Sequence, residues 1–329
     1  MPDQSPPAAA VHPASPDAAG SVWTDLLRPD EAERERVRQL TGLRVPTLAD
    51  LSEIETSSRL AVRDGAIYLS LPLAAPEHDG DVRPSPLGIV LTPERLLTVR
   101  YADLFAVSAA APRARAAEAA GQGSAHLAVL MLEVTVDHLA DVLEHIGEVL
   151  DRISHRIFHS PAPDAGHAKL SPRSARASTS DGLRASLRET GRTGETLTRL
   201  RESLLGLGRV PAFLAANAEW IPADVTRRFT VLRSDVASLT DHIGHLTSQV
   251  QLLQDAILGF INIEQSNIIK VMTVVSVIGV PPTLVASIYG MNFHDMPELA
   301  WRWGYPYGLA LIVASGLLPL LWFKRRGWL

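Results

Sequence analysis

The stretch that decides the fold is VMTVVSVIGVPPTLVASIYGMNF, residues 271–293. No charged side chain interrupts it, and a helix needs about 20 apolar residues to cross the hydrocarbon core of a bilayer. A second uncharged run, Trp303–Phe323, follows after the short connection His294–Arg302. The two runs predict a transmembrane hairpin. Tyr289-Gly290-Met291-Asn292 must then lie at one face of the membrane.

Charge near the spans sets their direction. Lys270 precedes the first span, and Lys324, Arg325 and Arg326 follow the second. The connection carries His294, Asp295, Glu298 and a single Arg302. By the positive-inside rule both termini are cytoplasmic and the connection is outside. Trp301, Trp303, Tyr305 and Tyr307 outside, with Trp322 and Trp328 inside, suit two interfacial aromatic belts.

Upstream of the first span, Val225, Phe229, Leu232, Val236, Leu239, Ile243, Leu246, Val250, Leu253 and Ile257 alternate steps of four and three. This is a heptad seam over about five heptads, and no helix breaker separates it from the span. A rod from Asp224 to Tyr289 would be roughly 100 Å long at 1.5 Å per residue. It must bury its seam against the two preceding helices or against copies of itself. Those helices are expected over Ala128–Phe158 and Gly182–Leu207. The Ser/Pro/Ala-rich segment 159–181 between them reads as irregular, and Pro211 and Pro222 bracket a further connection. Residues 40–110 read as α/β: a short helix over Leu48–Ser58, then strands at Ala66–Leu73, Leu87–Leu91 and Leu96–Tyr101.

The expected fold class is an α+β membrane protein: an N-terminal cytoplasmic α/β domain and a long helical stalk that continues into the first of two C-terminal transmembrane helices. The expected divisions are a disordered tail (1–22), the α/β domain (23–125), two long cytoplasmic helices (126–222), the stalk (223–270), the first span (271–291), the outer loop (292–303), the second span (304–323) and a basic tail (324–329). The first twenty residues lack the basic and apolar regions of a secretory signal.

Composition excludes several classes. With a net charge of −5, the 329-residue chain has no electrostatic case for nucleic acid. Without cysteine it has no disulfide, zinc-thiolate site or catalytic thiol. No P-loop, Gly-x-Ser-x-Gly or His-Glu-x-x-His is present, so an enzyme is not expected. His242 and His245 share the spacing of a transition-metal pair but lack a third ligand, and read as solvated.

Within the first span, Ser276, Val280, Thr283 and Ser287 fall on one face, which Met272, Ile269 and Ser266 extend toward the cytoplasm. Hydroxyls there either bond the helix's own carbonyls in a packed interface or line a watery path. Pro281-Pro282 removes two helical donors in mid-span. On the first long helix, Asp137, Asp141, Glu144, Glu148 and Asp151 form an acidic stripe at steps of four and three. Like charges at that spacing cost a few tenths of a kcal/mol per pair, which a bound cation would relieve; a solvated face is the alternative. Asp235, Asp241 and Asp255 on the stalk are further candidates.

Gly290-Met291-Asn292 between two C-terminal spans resembles the CorA family of divalent-cation channels. So do Gly259-Phe260-Ile261-Asn262-Ile263-Glu264-Gln265, Pro281-Pro282-Thr283-Leu284, Met296-Pro297-Glu298-Leu299 and Phe323-Lys324-Arg325-Arg326-Gly327-Trp328-Leu329. The resemblance implies a homopentamer in the bacterial inner membrane that admits Mg2+, and also cobalt and nickel, down the membrane potential. It implies ion selection by Gly290, Met291 and Asn292, a pore walled by Met272, Ser276, Val280, Thr283 and Ser287 with Met272 and Val280 as constrictions, and Asp295 and Glu298 at the mouth. It further implies Lys324, Arg325 and Arg326 as a basic cytoplasmic ring, and Mg2+ as both transported and regulatory ion, sensed by cytoplasmic acids. No organic cofactor is expected; the partners are the lipid bilayer, divalent cations and further copies of the chain. The basic 159–181 segment departs from a family that often carries acids there. A zinc transporter of the same superfamily, and a membrane-tethered metal-sensing scaffold without conduction, are the alternatives.

Overall fold

The computed structural model describes residues 21–53, 59–76, 82–159, 172–291 and 301–327. The expected unstructured tail through residue 20 lies outside them. Residues 21 and 22 correct its end: Ser21 Oγ donates to Glu118 Oε1 at 2.7 Å, and the Val22 N–H donates to the same oxygen at 2.5 Å.

The N-terminal domain begins with β1 (Trp23–Leu27), α1 (Glu31–Thr41) and α2 (Leu48–Leu51). Four strands follow: β2 (Leu60–Arg63), β3 (Ala66–Pro76), β4 (Val82–Leu91) and β5 (Leu96–Arg100). The sheet order is β1-β5-β4-β3-β2, with β1 parallel to β5 and the other pairs antiparallel. β5 is buried along its whole length. One face of the sheet packs on Val37, Val45 and Leu51 of the α1–α2 layer. The other packs on α3 (Phe105–Ala119) and α4 (Ser124–Phe158), with Ile89, Leu91, Val107 and Leu127 in one buried cluster. Gly88 is required by the first face, since a Cβ there would stand 2.8 Å from Leu51 Cδ2.

The three strands expected from alternation are present; β1, β2, α1 and α3 were not foreseen. β1 joins the sheet through Arg100, only 2% exposed, whose guanidinium donates to Asp25 Oδ2 at 2.9 and 3.1 Å. Thr98 Oγ1 donates to Asp25 Oδ1 at 2.7 Å and accepts from Trp23 Nε1 at 3.1 Å. A buried cation is tolerable only with such partners.

The remaining helices are α5 (Pro172–Asn217), α6 (Ala223–Tyr289) and α7 (Gly304–Arg325). α5 begins inside the segment expected to be irregular and passes through Pro211, which was expected to end it. Pro172 fits the first helical position, where the missing N–H has no partner anyway. Pro211 removes one internal bond, and the buried side chains of Val210 and Leu214 hold that turn.

The seam of α6 packs within its own chain. Val225, Phe229, Leu232, Val236, Ile243, Leu246, Val250 and Leu253 are each at most 5% exposed and join one cluster with α4 and α5. Glycines set the close approaches: a Cβ on Gly208 would meet Val236 at 3.3 Å, and one on Gly194 would meet Val250 at 3.3 Å. Arg228 of α6 clasps Glu133 of α4, with Nε donating to Oε1 at 2.8 Å, and this pairing raises the Arg228 pKa.

Among the described residues, α6 and α7 are the two helices long and apolar enough to cross a membrane. Only 6% of the most apolar window of α6, and 11% of that of α7, is buried within the chain. That exposure distinguishes them from the core helices of a soluble domain, and the chain has the α+β membrane architecture read from the sequence.

Candidate ion pathway

The least exposed residues of α6 beyond residue 270 are Val274, Ile278, Pro281, Pro282, Val285 and Tyr289. They recur at helical spacing, and α7 covers this row through its small residues. Gly308 faces Tyr289, a Cβ there lying 4.0 Å from the ring, and Gly316 faces Pro282. Small residues let two spans approach where no hydrophobic force drives them together. Sequence reasoning missed this contact, although Gly304 and Gly308 stand at the Gly-x-x-x-Gly spacing that announces it.

Docking α7 leaves the other face of α6 bare. Met272 is 64% exposed, Val280 is 61% exposed, and Ser276, Thr283 and Ser287 are exposed with them. From Ser276 to Ser287 this face forms one open groove with Val275, Gly279 and Leu284. The five residues expected to share a face therefore do share it. The hydroxyls bond their own helix: Thr283 Oγ1 donates to the Gly279 carbonyl at 2.9 Å, and Ser287 Oγ to the Thr283 carbonyl at 2.8 Å. Their oxygens remain as acceptors on the exposed face. α6 runs through Pro281-Pro282 without interruption.

Gly290 and Met291 stand at the C-terminal end of α6. The Gly290 N–H donates to the Ala286 carbonyl at 3.0 Å. Its φ is not left-handed, so the backbone at Gly290 continues the helical turn. Met291 is 45% exposed. Asn292, Asp295 and Glu298 lie outside the described residues.

Lys324 and Arg325 occupy the last turn of α7, where a helix terminus favours cations. Arg326 lies over the Trp322 ring at 5.4 Å, and Gly327 closes the helix with φ +70°.

The acids Asp137, Asp141, Glu144, Glu148 and Asp151 are all exposed on one face of α4, and Asp235, Asp241 and Asp255 are exposed on α6. Asp151 Oδ1 accepts from Gln249 Nε2 at 3.1 Å, and Glu148 lies within 3.7 Å of Arg152. His242 and His245 are exposed with ring centroids 6.5 Å apart. Among the described residues no group of three or more His, Asp or Glu converges on a common point that would hold a metal ion.

Comparison with known proteins places this geometry. The sequence model of a family described as CorA-like Mg2+ transporter protein matches residues 18–172 and 176–325. A protein of Yersinia pseudotuberculosis named Magnesium transport protein CorA is 35% identical over 315 residues, covering 96% of this chain and 94% of that one. A protein of the same name from Escherichia coli K12 is 33% identical over 309 residues, covering 94% and 92%. The complete structure of the CorA magnesium transporter from Methanocaldococcus jannaschii superposes with a TM-score of 0.68 at 21% identity, over 93% of this chain and 91% of that one; at that identity it speaks for the fold alone.

Proposed function

The chain belongs to the family of CorA-like Mg2+ transporters, and from that premise we propose that it is a channel for Mg2+ influx driven by the membrane potential. The observation that carries the reading is the face of α6 that α7 leaves bare. It holds apolar Met272 and Val280 alternating with hydroxyl-bearing Ser276, Thr283 and Ser287, and leads to Gly290-Met291-Asn292.

A single chain cannot enclose a path with one helix face. Copies of α6 arranged around an axis, in our reading a homopentamer, supply the wall. Rings of Met272 and Val280 are then narrow and apolar and close by dewetting. Mg2+ sheds water reluctantly. Asn292, with the Gly290 carbonyl, therefore selects by accepting hydrogen bonds from the ion's own water shell, and Met291 lies in the same ring. Asp295 and Glu298 at the mouth concentrate cations. Cobalt and nickel, similar dications, follow the same route. Each dication gains about 4.6 kcal/mol per 100 mV on entering, twice the single-charge value, so no nucleotide is required.

Both termini face the cytoplasm of a bacterial inner membrane, with Lys324, Arg325 and Arg326 at its inner face. No metal-holding cluster is complete within the described residues of one chain. In our reading regulatory Mg2+ is shared between chains, with the acids of α4 and the exposed aspartates of α6 as its candidate ligands. The relatives named for magnesium transport favour this reading over zinc.

The test is Mg2+ uptake into liposomes that hold the purified protein, with an inside-negative potential and a Mg2+-sensitive dye. Potential-driven uptake blocked by hexammine cobalt(III), a mimic of the hydrated ion, supports the channel. An assembled oligomer that binds Mg2+ yet passes none would replace it with the sensor scaffold.

A further inference from the structure

Away from the hairpin, the N-terminal domain holds a cleft of about 270 Å³ between α2 and the sheet edge formed by β2 and β3. Three arginines line it from three places: Arg44 before α2, Arg59 just ahead of β2, and Arg63 at the end of β2. Two carboxylates, Asp50 and Glu53, also line it. Asp50 is already engaged. Its Oδ2 accepts from the Thr47 N–H and hydroxyl, each at 2.8 Å, and its Oδ1 accepts from Arg44 at 2.9 Å. Arg59 uses Nε on the Glu53 carbonyl at 2.8 Å, which leaves both terminal nitrogens of its fork. Arg63 makes no hydrogen bond or ion pair among the described residues.

Charged residues on an edge strand often serve only to block pairing with another chain, and Arg63 alone would need no more than that. Arg44 and Arg59 are not on the strand, however, and the cleft they share is lined on its apolar side by Leu51 and Ala61. Its side wall is Tyr68, a half-buried phenol that is protonated at neutral pH, as tyrosine ordinarily is, and whose pKa burial raises further. A guanidinium fork matches phosphate oxygens two at a time. Apolar floors with a few convergent polar groups are the usual form of small-molecule sites.

We propose that this cleft is a binding site for a small phosphate-bearing anion, held by Arg59 and Arg63 with Arg44 fixed beside them by Asp50. At about 270 Å³ the space is just under the roughly 300 Å³ at which ligand pockets usually begin, which restricts it to a group as small as a diphosphate or a small phosphate ester. The site does not depend on ion flux. If the domain faces the cytoplasm as proposed above, its ligands belong to the same class of anions that compete for Mg2+.

Isothermal titration of the full-length protein in detergent, with inorganic pyrophosphate and separately AMP in Mg2+-free buffer, tests it. One ligand per chain is expected, with affinity falling as salt rises. Arg63→Ala and Arg59→Ala should each weaken binding about tenfold or more, the loss expected for a charge-assisted contact, and Arg63→Lys should restore part of it. Tighter binding of pyrophosphate than AMP identifies the diphosphate as the recognised group, and the reverse order identifies the ester. Arg36→Ala, on α1 and outside the cleft, should bind as the parent does. No binding by the folded parent protein, or equal binding by parent and Arg63→Ala, overturns the site. Mg2+ uptake by the same preparations reports on the transport reading separately.

Discussion

Gly316 of α7 lies against Pro282 of α6 so closely that a Cβ at position 316 would stand 3.3 Å from the proline Cγ. It would also lie 3.7 Å from the Ile278 carbonyl oxygen. That carbonyl is the acceptor Pro282 deprives of its helical donor, because proline carries no N–H. The glycine thus covers the one turn of the span that cannot complete its own hydrogen bonds. Gly316→Leu should separate the spans and lower the thermal stability of the detergent-solubilised oligomer, whereas Ala314→Leu, at an exposed position, should be near neutral. Melting followed by size exclusion measures both, and equal behaviour of the two variants would remove the packing role.

Asn292→Ala is expected to abolish Mg2+ uptake in liposomes while the oligomer elutes unchanged. The amide oxygen is the group asked to receive the ion's water shell, and a methyl cannot accept a hydrogen bond. Uptake at the parent rate would refute selection by Asn292.

Met272→Ser and Val280→Asn should open an apolar constriction to water. Uptake should then persist at high internal Mg2+, where the proposed regulation would close the parent protein, and should exceed the parent rate several-fold. A parent-like shut-off in both variants would place the gate elsewhere.

Leu246→Ala should destabilise the helical bundle by about 2–5 kcal/mol, the usual range for a buried leucine. Leu246 is 2% exposed, whereas Leu252 on the same helix is 63% exposed and should change stability by no more than about 0.5 kcal/mol on truncation. Thermal melts of the full-length protein distinguish the two. A larger loss for Leu252→Ala would mean that the outer face of α6, rather than the seam, carries the packing.

His138 packs beside the Phe105 ring, with centroids 4.4 Å apart, and burial lowers its pKa below the ordinary 6.5, partly opposed by Asp141. The folded state therefore binds this proton less readily than the unfolded chain. The resulting stability is complete above about 6.5 and is lost as pH falls from there through the lowered folded value. Melting temperature against pH should show this fall in the parent and less of it in His138→Gln. Superimposable curves would show that His138 contributes nothing to it.

The spans, the stalk period and the set of residues that share the polar face of the first span were legible in the sequence, because each is a local property. Hydrocarbon thickness fixes the length of a charge-free run, and a helix of 3.6 residues per turn fixes which side chains share a face. β1 was not legible: it pairs in parallel with β5, and that strand lies 73 residues away from Trp23↔Leu96 to Leu27↔Arg100. Neither was the continuation of α5 through Pro211, which depends on neighbours that hold the turn.

By itself, then, the sequence determined that this chain forms a two-span hairpin on a long heptad helix, and which residues lie on which face. Only the tertiary structure decided what each face meets. The seam of α6 is filled by α4 and α5 of the same chain, while Gly308 and Gly316 bring α7 onto one side of the span and leave Met272, Ser276, Val280, Thr283 and Ser287 uncovered on the other. Periodicity marks a face as one to be buried but carries no information about its partner. The partner is chosen by which distant surfaces fit without a void, and here glycines at the points of closest approach make that fit.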